Sequence, residues 1–219
     1  MLSFILKTCI DLIYPPYCMY CKELFDDRQQ VLCAICISTI QPVVSYPLKV
    51  SDSCTVSVFS VGVYRDPLRR LIVSKQYRNR DAARALGALV WQLSDLKNTD
   101  FDYIVPVPLH WTRYAYRWYN QAEEMADIIA QKSGKPVVKI LKRKNKTIVQ
   151  AGLSKEERSK NLKYAFELHN IGVTHEYKNK TIVLVDDVMT TGSTIFSAIK
   201  TLRLLKPKAI IVAVACRVI

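Results

Sequence analysis

The sequence predicts an α/β protein in which a parallel sheet carries helices on both faces. From residue 56 onward, strand-like and helix-like segments alternate along the chain. The runs at 181–185 (TIVLV) and 209–215 (AIIVAVA) are almost continuously apolar and rich in β-branched residues. Such runs are typical of strands that are buried on both faces of a parallel sheet. Half of the 219 residues are apolar and 23% are charged, which excludes disordered and fibrous classes of protein.

Each predicted element follows from its periodicity. Helices are expected where apolar residues recur at a spacing of three or four, as in 120–132, and Ser133-Gly134 marks the end of that helix. Strands are expected where β-branched and aromatic residues cluster between turn signals. The predicted strands are 56–64, 101–109, 136–141, 181–185 and 209–215, and the predicted helices are 67–77, 81–95, 120–132 and 193–205.

Four cysteines predict a metal site near the start of the chain. Cys18 and Cys21 form one C-x-x-C pair, Cys33 and Cys36 form another, and eleven residues separate the pairs. Four thiolates at this spacing suit tetrahedral Zn²⁺ and leave no open position for catalysis, so the metal would be structural. The alternative is two reduced or redox-active pairs without metal. We therefore expect a zinc-binding module in residues 1–55 and an α/β domain in 56–219.

Charge and cysteine usage narrow the class further. Lysine and arginine exceed aspartate and glutamate by 13, and this excess belongs to residues 56–219. A cationic surface favours partners that carry phosphate. Seven cysteines without a secretion signal argue against a disulfide framework, and no apolar run reaches the roughly 18 residues of a membrane span. A cytoplasmic protein without a membrane span is expected.

Several common sites are excluded by spacing. The six glycines are too far apart for either G-x-G-x-x-G or a Walker P-loop. The sequence also lacks a G-x-S-x-G elbow and the paired histidines of zincins. Rossmann-type nucleotide binding, serine hydrolysis and zincin chemistry therefore have no support.

The most informative motif follows the strand at 181–185, where the chain reads DDVMTTGST over 186–194 and then enters a helix. The carboxyl end of a strand places the two acids at the edge where open α/β sheets bind ligands. The N–H groups of the following turn can surround a phosphate at a helix N-terminus. The segment therefore predicts a ribose 5-phosphate site. The alternative is an ordinary hydroxyl helix cap, with both acids on a solvated loop.

The motif VLVDDVMTTGST (183–194) resembles the phosphoribosyl diphosphate (PRPP) signature of type I phosphoribosyltransferases. Further motifs make the chain similar to the ComF family of competence proteins: PPYCMYC, VPVPLHW, YNQAEEMA, Thr147-x-x-Gln150-x-x-Leu153 and Arg158-x-x-Asn161. The resemblance implies a type I phosphoribosyltransferase-like domain after a small zinc-ribbon-like module with four cysteine ligands. Lys22 and Trp118 stand where the family commonly has glycine.

The resemblance also implies which residues form the site. Asp186 and Asp187 would hold the ribose hydroxyls as the catalytic residues, and the loop after the strand at 101–107 would approach the diphosphate. A transferase of this type relies on positioning and cations, with Mg²⁺ on the diphosphate and Lys75, Arg78, Arg143 and Arg158 as candidate cations. The ligand-binding set implied is Asp186, Asp187, Val188, Met189, Thr190, Thr191, Gly192, Ser193, Thr194, Pro106, Val107 and Pro108.

Binding of single-stranded DNA is predicted from aromatic and basic stretches. Residues 111–119 (WTRYAYRWY) interleave aromatic rings with arginines, a composition that stacks bases and neutralises phosphates. Basic residues also concentrate in 65–80 and 135–163. The alternative is a helix start whose rings pack on the small domain or on a partner subunit. The DNA-binding candidates are Trp111, Arg113, Arg117, Trp118, Arg143, Lys144 and Arg158.

Two functions follow from these observations. By its family resemblance, the chain would be a cytosolic competence protein of natural transformation that handles incoming single-stranded DNA and binds PRPP or a related ribose phosphate. Other DNA-uptake proteins, such as a helicase or a channel, would then be partners. The alternative is a metabolic phosphoribosyltransferase that moves ribose 5-phosphate from PRPP to a nitrogenous acceptor, with the basic surface serving only to capture substrate.

Overall fold

The computed structural model describes residues 17–24, 30–43, 45–52, 54–74, 80–109, 119–143, 165–169 and 174–218. The strands in this part of the chain are β1 (Tyr46–Ser51), β2 (Cys54–Val63), β3 (Tyr103–Pro106), β4 (Leu141–Arg143), β5 (Phe166–Leu168), β6 (Thr181–Met189) and β7 (Ala209–Arg217). The α-helices are α1 (Ala34–Ser38), α2 (Leu68–Ser74), α3 (Arg80–Leu93), α4 (Gln121–Ser133) and α5 (Ser193–Leu202). Short 3₁₀ turns cover Asp95–Asn98, Thr174–Tyr177 and Arg203–Leu205.

Five strands form one sheet in the order β1-β2-β7-β6-β3. The four strands β2, β7, β6 and β3 are parallel, and β1 pairs with β2 in the antiparallel direction at the sheet edge. The predicted parallel α/β class is confirmed, with the addition of this antiparallel edge. Pro47 fits there because an edge strand has one side on which no N–H group is needed.

The short strand predicted at 136–141 is formed only in part, since Pro136 and Val138 hydrogen-bond with Ile104 of β3 but no continuous strand covers the range. Val137 makes a single parallel bridge with Ile104, and the strand β4 begins only at Leu141. β4 pairs with β5 in a separate two-stranded antiparallel sheet. The partner strand lies more than twenty residues further along the chain, so local periodicity carries no signal for this pairing.

Two apolar cores lie on opposite faces of the main sheet. Val183 and Val185 belong to the core that also contains buried residues of α3 and α4. Ile182 and Leu184 belong to the core that contains the buried residues of α5. Alternate side chains of a strand point to opposite faces, so a strand that is apolar throughout is buried on both. Helices on both faces are thus confirmed.

The cysteine-bearing segment packs against the first of these cores. Cys18, Leu32 and Cys36 are buried together with Phe59 of β2. At Gly62 the two parts of the chain approach so closely that a Cβ atom would lie 2.6 Å from the carbonyl oxygen of Gln41. The segment therefore sits beside the carboxyl end of β2 and needs a glycine there.

The division into residues 1–55 and 56–219 stays a prediction. β1 lies before this boundary, and its pairing with β2 joins the two sides. Among the described residues, no helix combines the length and the apolar character that crossing a membrane requires.

Candidate functional site

The two acids of the predicted ribose site lie within the last four residues of β6. The strand runs to Met189, four residues beyond its predicted end, because pairing with β7 continues as far as Met189 and Arg217. Both acidic side chains are half-buried at the carboxyl edge of the sheet. This is the edge at which ligands of parallel α/β sheets bind.

Each acid is oriented by the backbone that follows it. The N–H of Asp187 donates to Oδ1 of Asp186 at 2.8 Å, and the N–H of Val188 donates to Oδ1 of Asp187 at 2.6 Å. The alternation of side chains between the two faces of the sheet is also interrupted here. Val185 and Val188 are three positions apart and should lie on opposite faces, yet both pack with the same core. The acidic pair therefore occupies an irregular strand end whose side chains are held by local hydrogen bonds.

The turn after β6 is shaped by Gly192. Its φ of 75° is left-handed, and it is the N-cap residue of α5. The left-handed conformation favours glycine, and a Cβ atom at this position would lie 2.8 Å from Cε of Met189, so another residue would also have to displace that side chain. The carbonyl of Gly192 accepts the first hydrogen bond of the helix, from the N–H of Phe196 at 2.8 Å.

The N–H groups of this turn are available to an anion. Within the described part of the chain, the backbone N–H groups of Thr190–Thr194 have no hydrogen-bond acceptor. The hydroxyls of Thr191 and Ser193 lie 3.3 Å from each other beside them. Unpaired N–H groups and the positive end of the helix dipole together favour a phosphate at this position.

The loop predicted to approach a diphosphate begins in a buried position. Pro106 and Val107 are buried and Pro108 is half-buried. The N–H of Val107 donates to the carbonyl of Val185 at 2.9 Å, and its carbonyl accepts from Nδ2 of Asn120 at 3.0 Å. Asn120 also caps α4, since its Oδ1 accepts from the N–H of Ala122. Both backbone polar groups of Val107 are thus hydrogen-bonded within the protein.

Two residues near the turn had no role in the sequence reasoning. The guanidinium of Arg217, at the end of β7, lies 4.0 Å from the centroid of the Tyr46 ring. Tyr46 comes from the edge strand β1 and contacts Met189. Their proximity depends on pairing between strands that are distant along the chain, which a local motif does not reveal.

The four cysteines of the two C-x-x-C pairs converge. Their Sγ atoms all lie within 4.8 Å of one another. The Sγ atoms of Cys21 and Cys33 are 3.8 Å apart, and two thiolates on a tetrahedral zinc with Zn–S bonds of about 2.3 Å would be about 3.8 Å apart. Cys18 and Cys36 are buried, whereas Cys21 is exposed. The geometry fits a zinc ion held by all four sulfurs.

Hydrogen bonds to sulfur favour the thiolate form at one member of the cluster. Burial acts to raise the pKa of Cys18, but backbone N–H groups of Cys33 and Cys21 donate to its sulfur and bring that pKa down to about 6. At Cys36, burial raises the pKa of the thiol. Zinc binding would displace the protons from all four groups.

Lys22 takes up the conformation that a glycine would otherwise provide in the first cysteine pair. Its φ is 69°, in the left-handed region, and its N–H donates to the carbonyl of Cys18 at 3.0 Å. The ammonium group hydrogen-bonds to the carbonyl of Met19 at 3.2 Å and lies 5.1 Å from the centroid of the Tyr17 ring. These contacts offset part of the cost of the left-handed backbone.

The described residues include one DNA-binding candidate. Arg143 ends β4, and its guanidinium lies 5.5 Å from the centroid of the Phe166 ring. The other candidates, and the predicted cations Lys75 and Arg78, lie outside the described residues. Those DNA-binding candidates are Trp111, Arg113, Arg117, Trp118, Lys144 and Arg158.

Comparisons with known proteins agree with this arrangement. A family model described as "Phosphoribosyl transferase domain" matches residues 74–219. The chain is 36% identical over 150 residues to Competence protein F of Haemophilus influenzae, and the alignment covers 65% of each chain. It is 28% identical over 207 residues to the DNA utilization protein YhgH of Salmonella typhi, covering 84% of this chain and 89% of that one. The motif-based resemblance to competence proteins is thereby confirmed.

Solved structures show more distant likenesses. The allosteric regulatory enzyme of purine biosynthesis has a TM-score of 0.43 at 20% identity, over 62% of this chain and 25% of that one. An adenine phosphoribosyltransferase has a TM-score of 0.32 at 14% identity, over 77% of this chain and 84% of that one.

Proposed function

The chain belongs to the phosphoribosyl transferase domain family, and on this premise we propose that it binds PRPP or a related ribose 5-phosphate at the carboxyl edge of its sheet. Asp186 and Asp187 would accept hydrogen bonds from the ribose hydroxyls. The turn at Thr190–Thr194 would hold the 5-phosphate. A bound Mg²⁺ would supply positive charge to the diphosphate of PRPP.

One observation carries this proposal: a left-handed glycine turn presents unpaired N–H groups beside two oriented carboxylates. An ordinary helix cap explains a single hydroxyl residue. It does not explain Gly192, whose backbone brings the turn against Met189, or the acids held by the N–H groups of the next residues. A sugar phosphate uses both halves of this arrangement, because its hydroxyls donate to carboxylates and its phosphate accepts from N–H groups.

We also propose that the four cysteines hold one structural Zn²⁺. Four sulfurs within 4.8 Å of one another would complete a tetrahedral shell, so the ion would have no position for a substrate. Its role would be to hold Cys18 and Cys36 in the core that they share with β2. Among its described residues only Cys18, Leu32 and Cys36 are buried apolar side chains, and a metal would add to the stability that they provide.

In its biological role, we propose that the chain handles incoming single-stranded DNA in the cytoplasm, together with other proteins of DNA uptake. The names of its relatives, Competence protein F and the DNA utilization protein YhgH, support this role. So does a net charge of +13, which favours association with phosphodiester chains. The metabolic alternative differs in one measurable respect, because it requires PRPP to be consumed when a nitrogenous acceptor is added.

Calorimetric titration with PRPP and Mg²⁺ tests the site. We expect Gly192→Ala to weaken PRPP binding at least about ten-fold, because the added methyl group strains the left-handed turn and must also displace the side chains of Met189 and Phe196. Gly134→Ala is the matched control, since Gly134 has a φ of 72° but nothing lies within 4 Å of its absent Cβ. It carries the same backbone cost and should bind PRPP like the unmodified protein. Equal affinity in all three proteins would remove the proposed site.

A further inference from the structure

A second cleft lies at the amino-terminal edge of the sheet, opposite the acids. It has a volume of about 380 Å³ and is formed by the first residues of β2 and β7 together with the segment from Arg203 to Lys208. The strand β7 runs from one edge of the sheet to the other, and its nine residues extend over about 26 Å. The cleft, called here the amino-edge cleft, is thus distinct from the candidate ribose phosphate site.

The charged residues that line the amino-edge cleft are all basic. They are Arg203, Lys206 and Lys208, and none of the described residues that line it is acidic. All three side chains are exposed. None of them takes part in an ion pair with any other described residue. Acids do lie on adjoining segments, since Arg203 hydrogen-bonds to Ser51 beside the exposed Asp52, but no described carboxylate forms an ion pair with the three cations.

Backbone hydrogen bonds fix the main chain that carries these cations. Lys206 has a left-handed φ of 53°, and its N–H donates to the carbonyl of Arg203 at 3.0 Å. Its own carbonyl accepts from the N–H of Asn179 at 3.1 Å, and the N–H of Lys208 donates to the carbonyl of Lys180 at 2.9 Å. Two chain segments are thus fixed side by side. This arrangement adds the exposed Lys178 to the same region.

The dipole of α5 accounts for only part of this cluster. A cation in the last turn of a helix is stabilised by the carbonyl groups at its C-terminus, and the effect falls off within that turn. Arg203 is the C-cap residue of α5 and fits this explanation, whereas Lys206 and Lys208 lie beyond it. The nearby acid Asp102 is paired with Lys180 at 3.1 Å, so it does not neutralise them.

We propose that the amino-edge cleft binds the phosphodiester backbone of a single nucleic-acid strand, an inference that rests on the proposed role in handling DNA. Several cations in a cleft whose described lining contains no acidic residue suit successive phosphates, which repeat along a strand as single negative charges. The described lining contains no aromatic residue, so it offers no ring on which a base could stack. Binding there is therefore indifferent to base identity.

Fluorescence anisotropy with a labelled oligothymidylate tests this assignment across a salt series. We expect Lys206→Glu/Lys208→Glu to weaken binding at least about ten-fold and to reduce the salt slope by about 1.4, since each phosphate contact of a single strand contributes about 0.7. The matched control is Lys97→Glu/Lys132→Glu, which makes the same change in net charge at exposed lysines outside the cleft. Its affinity should change by no more than about two-fold.

One further variant and one further ligand distinguish the possible outcomes. Lys206→Gln/Lys208→Gln should give an intermediate loss, and an abasic strand of equal length should be affected by the cleft variants as strongly as oligothymidylate. Equal losses in the cleft and control variants would overturn the proposal. So would displacement of the strand by inorganic phosphate at equal phosphate concentration, which would assign the cleft to small anions.

The same titrations separate this inference from the proposed function. DNA binding that survives the cleft variants would overturn the amino-edge cleft and leave the role in handling DNA intact. Absence of DNA binding by the unmodified protein at low salt would overturn both, even where PRPP still binds. PRPP affinity measured on the cleft variants should equal that of the unmodified protein, because the two sites lie at opposite edges of the sheet.

Discussion

The hydroxyl of Tyr46 donates a hydrogen bond to Sδ of Met189 at 3.4 Å. Met189 in turn lies against Gly192. A residue of the antiparallel edge strand thus supports Met189, the side chain against which the turn assigned to phosphate packs. Burial raises the pKa of Tyr46, although the nearby Arg217 guanidinium acts to lower it. The hydroxyl therefore stays protonated, and remains a donor, throughout the neutral range.

Replacing Tyr46 by phenylalanine should leave the side chain of Met189 less firmly positioned under the turn. Tyr46→Phe removes a weak hydrogen bond to sulfur, and we expect PRPP to bind about three-fold more weakly, as measured by calorimetry. The matched control is Tyr20→Phe, which removes a hydrogen bond of the same length, 3.4 Å, to Asp66. Its PRPP affinity should not change. An equal effect of the two substitutions would mean that Tyr46 does not act through Met189.

The left-handed backbone at Lys22 should be relieved by glycine. A left-handed residue with a Cβ atom costs roughly 1 kcal/mol or more, which glycine avoids. We therefore expect Lys22→Gly to be more stable than Lys22→Ala by about 1 kcal/mol in denaturant unfolding of the zinc-loaded protein. Both variants lose the contacts of the lysine side chain, so the comparison isolates the backbone. Equal stability would contradict the φ of 69°.

Zinc should be bound at about one ion per chain and should stabilise the sheet as well as the cysteine segment. Cys33→Ser should abolish zinc binding in metal analysis, because it removes one of the four ligands. Cys54→Ser is the control and should retain the metal. Since Cys18 and Cys36 share a core with Phe59 of β2, chelation should lower the melting temperature of the main transition. A fully folded preparation without metal would contradict this assignment.

Asp102 should contribute stability that disappears in acid. Its carboxylate accepts from the N–H of Thr181 at 2.8 Å and from Lys180 at 3.1 Å, and these two hydrogen bonds lower the pKa of Asp102. The contribution is complete above the unfolded-state pKa of about 3.9 and is lost as the pH falls through the lower folded-state value. The hydrogen bonds of Asp102 connect the start of β3 to the start of β6.

Asp102→Asn should therefore lower the free energy of unfolding at pH 7 by about 0.5 kcal/mol, a small value because the carboxylate is partly exposed. The difference from the unmodified protein should be smaller at pH 2 than at pH 7, in urea unfolding followed by circular dichroism. Asp100→Asn is the control, since the side chain of Asp100 is fully exposed. A difference for Asp102→Asn that is the same at both pH values would rule out the lowered pKa as its cause.

The sequence was most informative where a structural requirement is local. The strands β6 and β7 follow from continuous β-branched runs that need burial on both faces. The cysteine cluster follows from ligand spacing, and the turn at Gly192 follows from a glycine among hydroxyl residues. In each case one short stretch, or two short stretches at a telling spacing, contains the whole signal.

The missed features depend on contacts between distant segments. β6 extends past its predicted end because pairing with β7 outweighs the low strand propensity of Asp186 and Asp187. β1 was missed although Tyr46, Leu48 and Val50 alternate with other residues and pack against a core, because the strand is short and contains Pro47, which argues against a strand. The main chain at Lys206 and Lys208 in the amino-edge cleft is fixed by hydrogen bonds with residues 179–180. Local periodicity does not predict these long-range bonds.

A crystal structure of the protein with PRPP and Mg²⁺ tests the assigned phosphate turn most directly. We expect oxygens of the 5-phosphate to lie about 3 Å from backbone nitrogens of Thr190–Thr194, with the ribose hydroxyls at the carboxylates of Asp186 and Asp187. PRPP bound at another place, with the N–H groups of this turn donating to acceptors of the protein itself, would contradict the assignment.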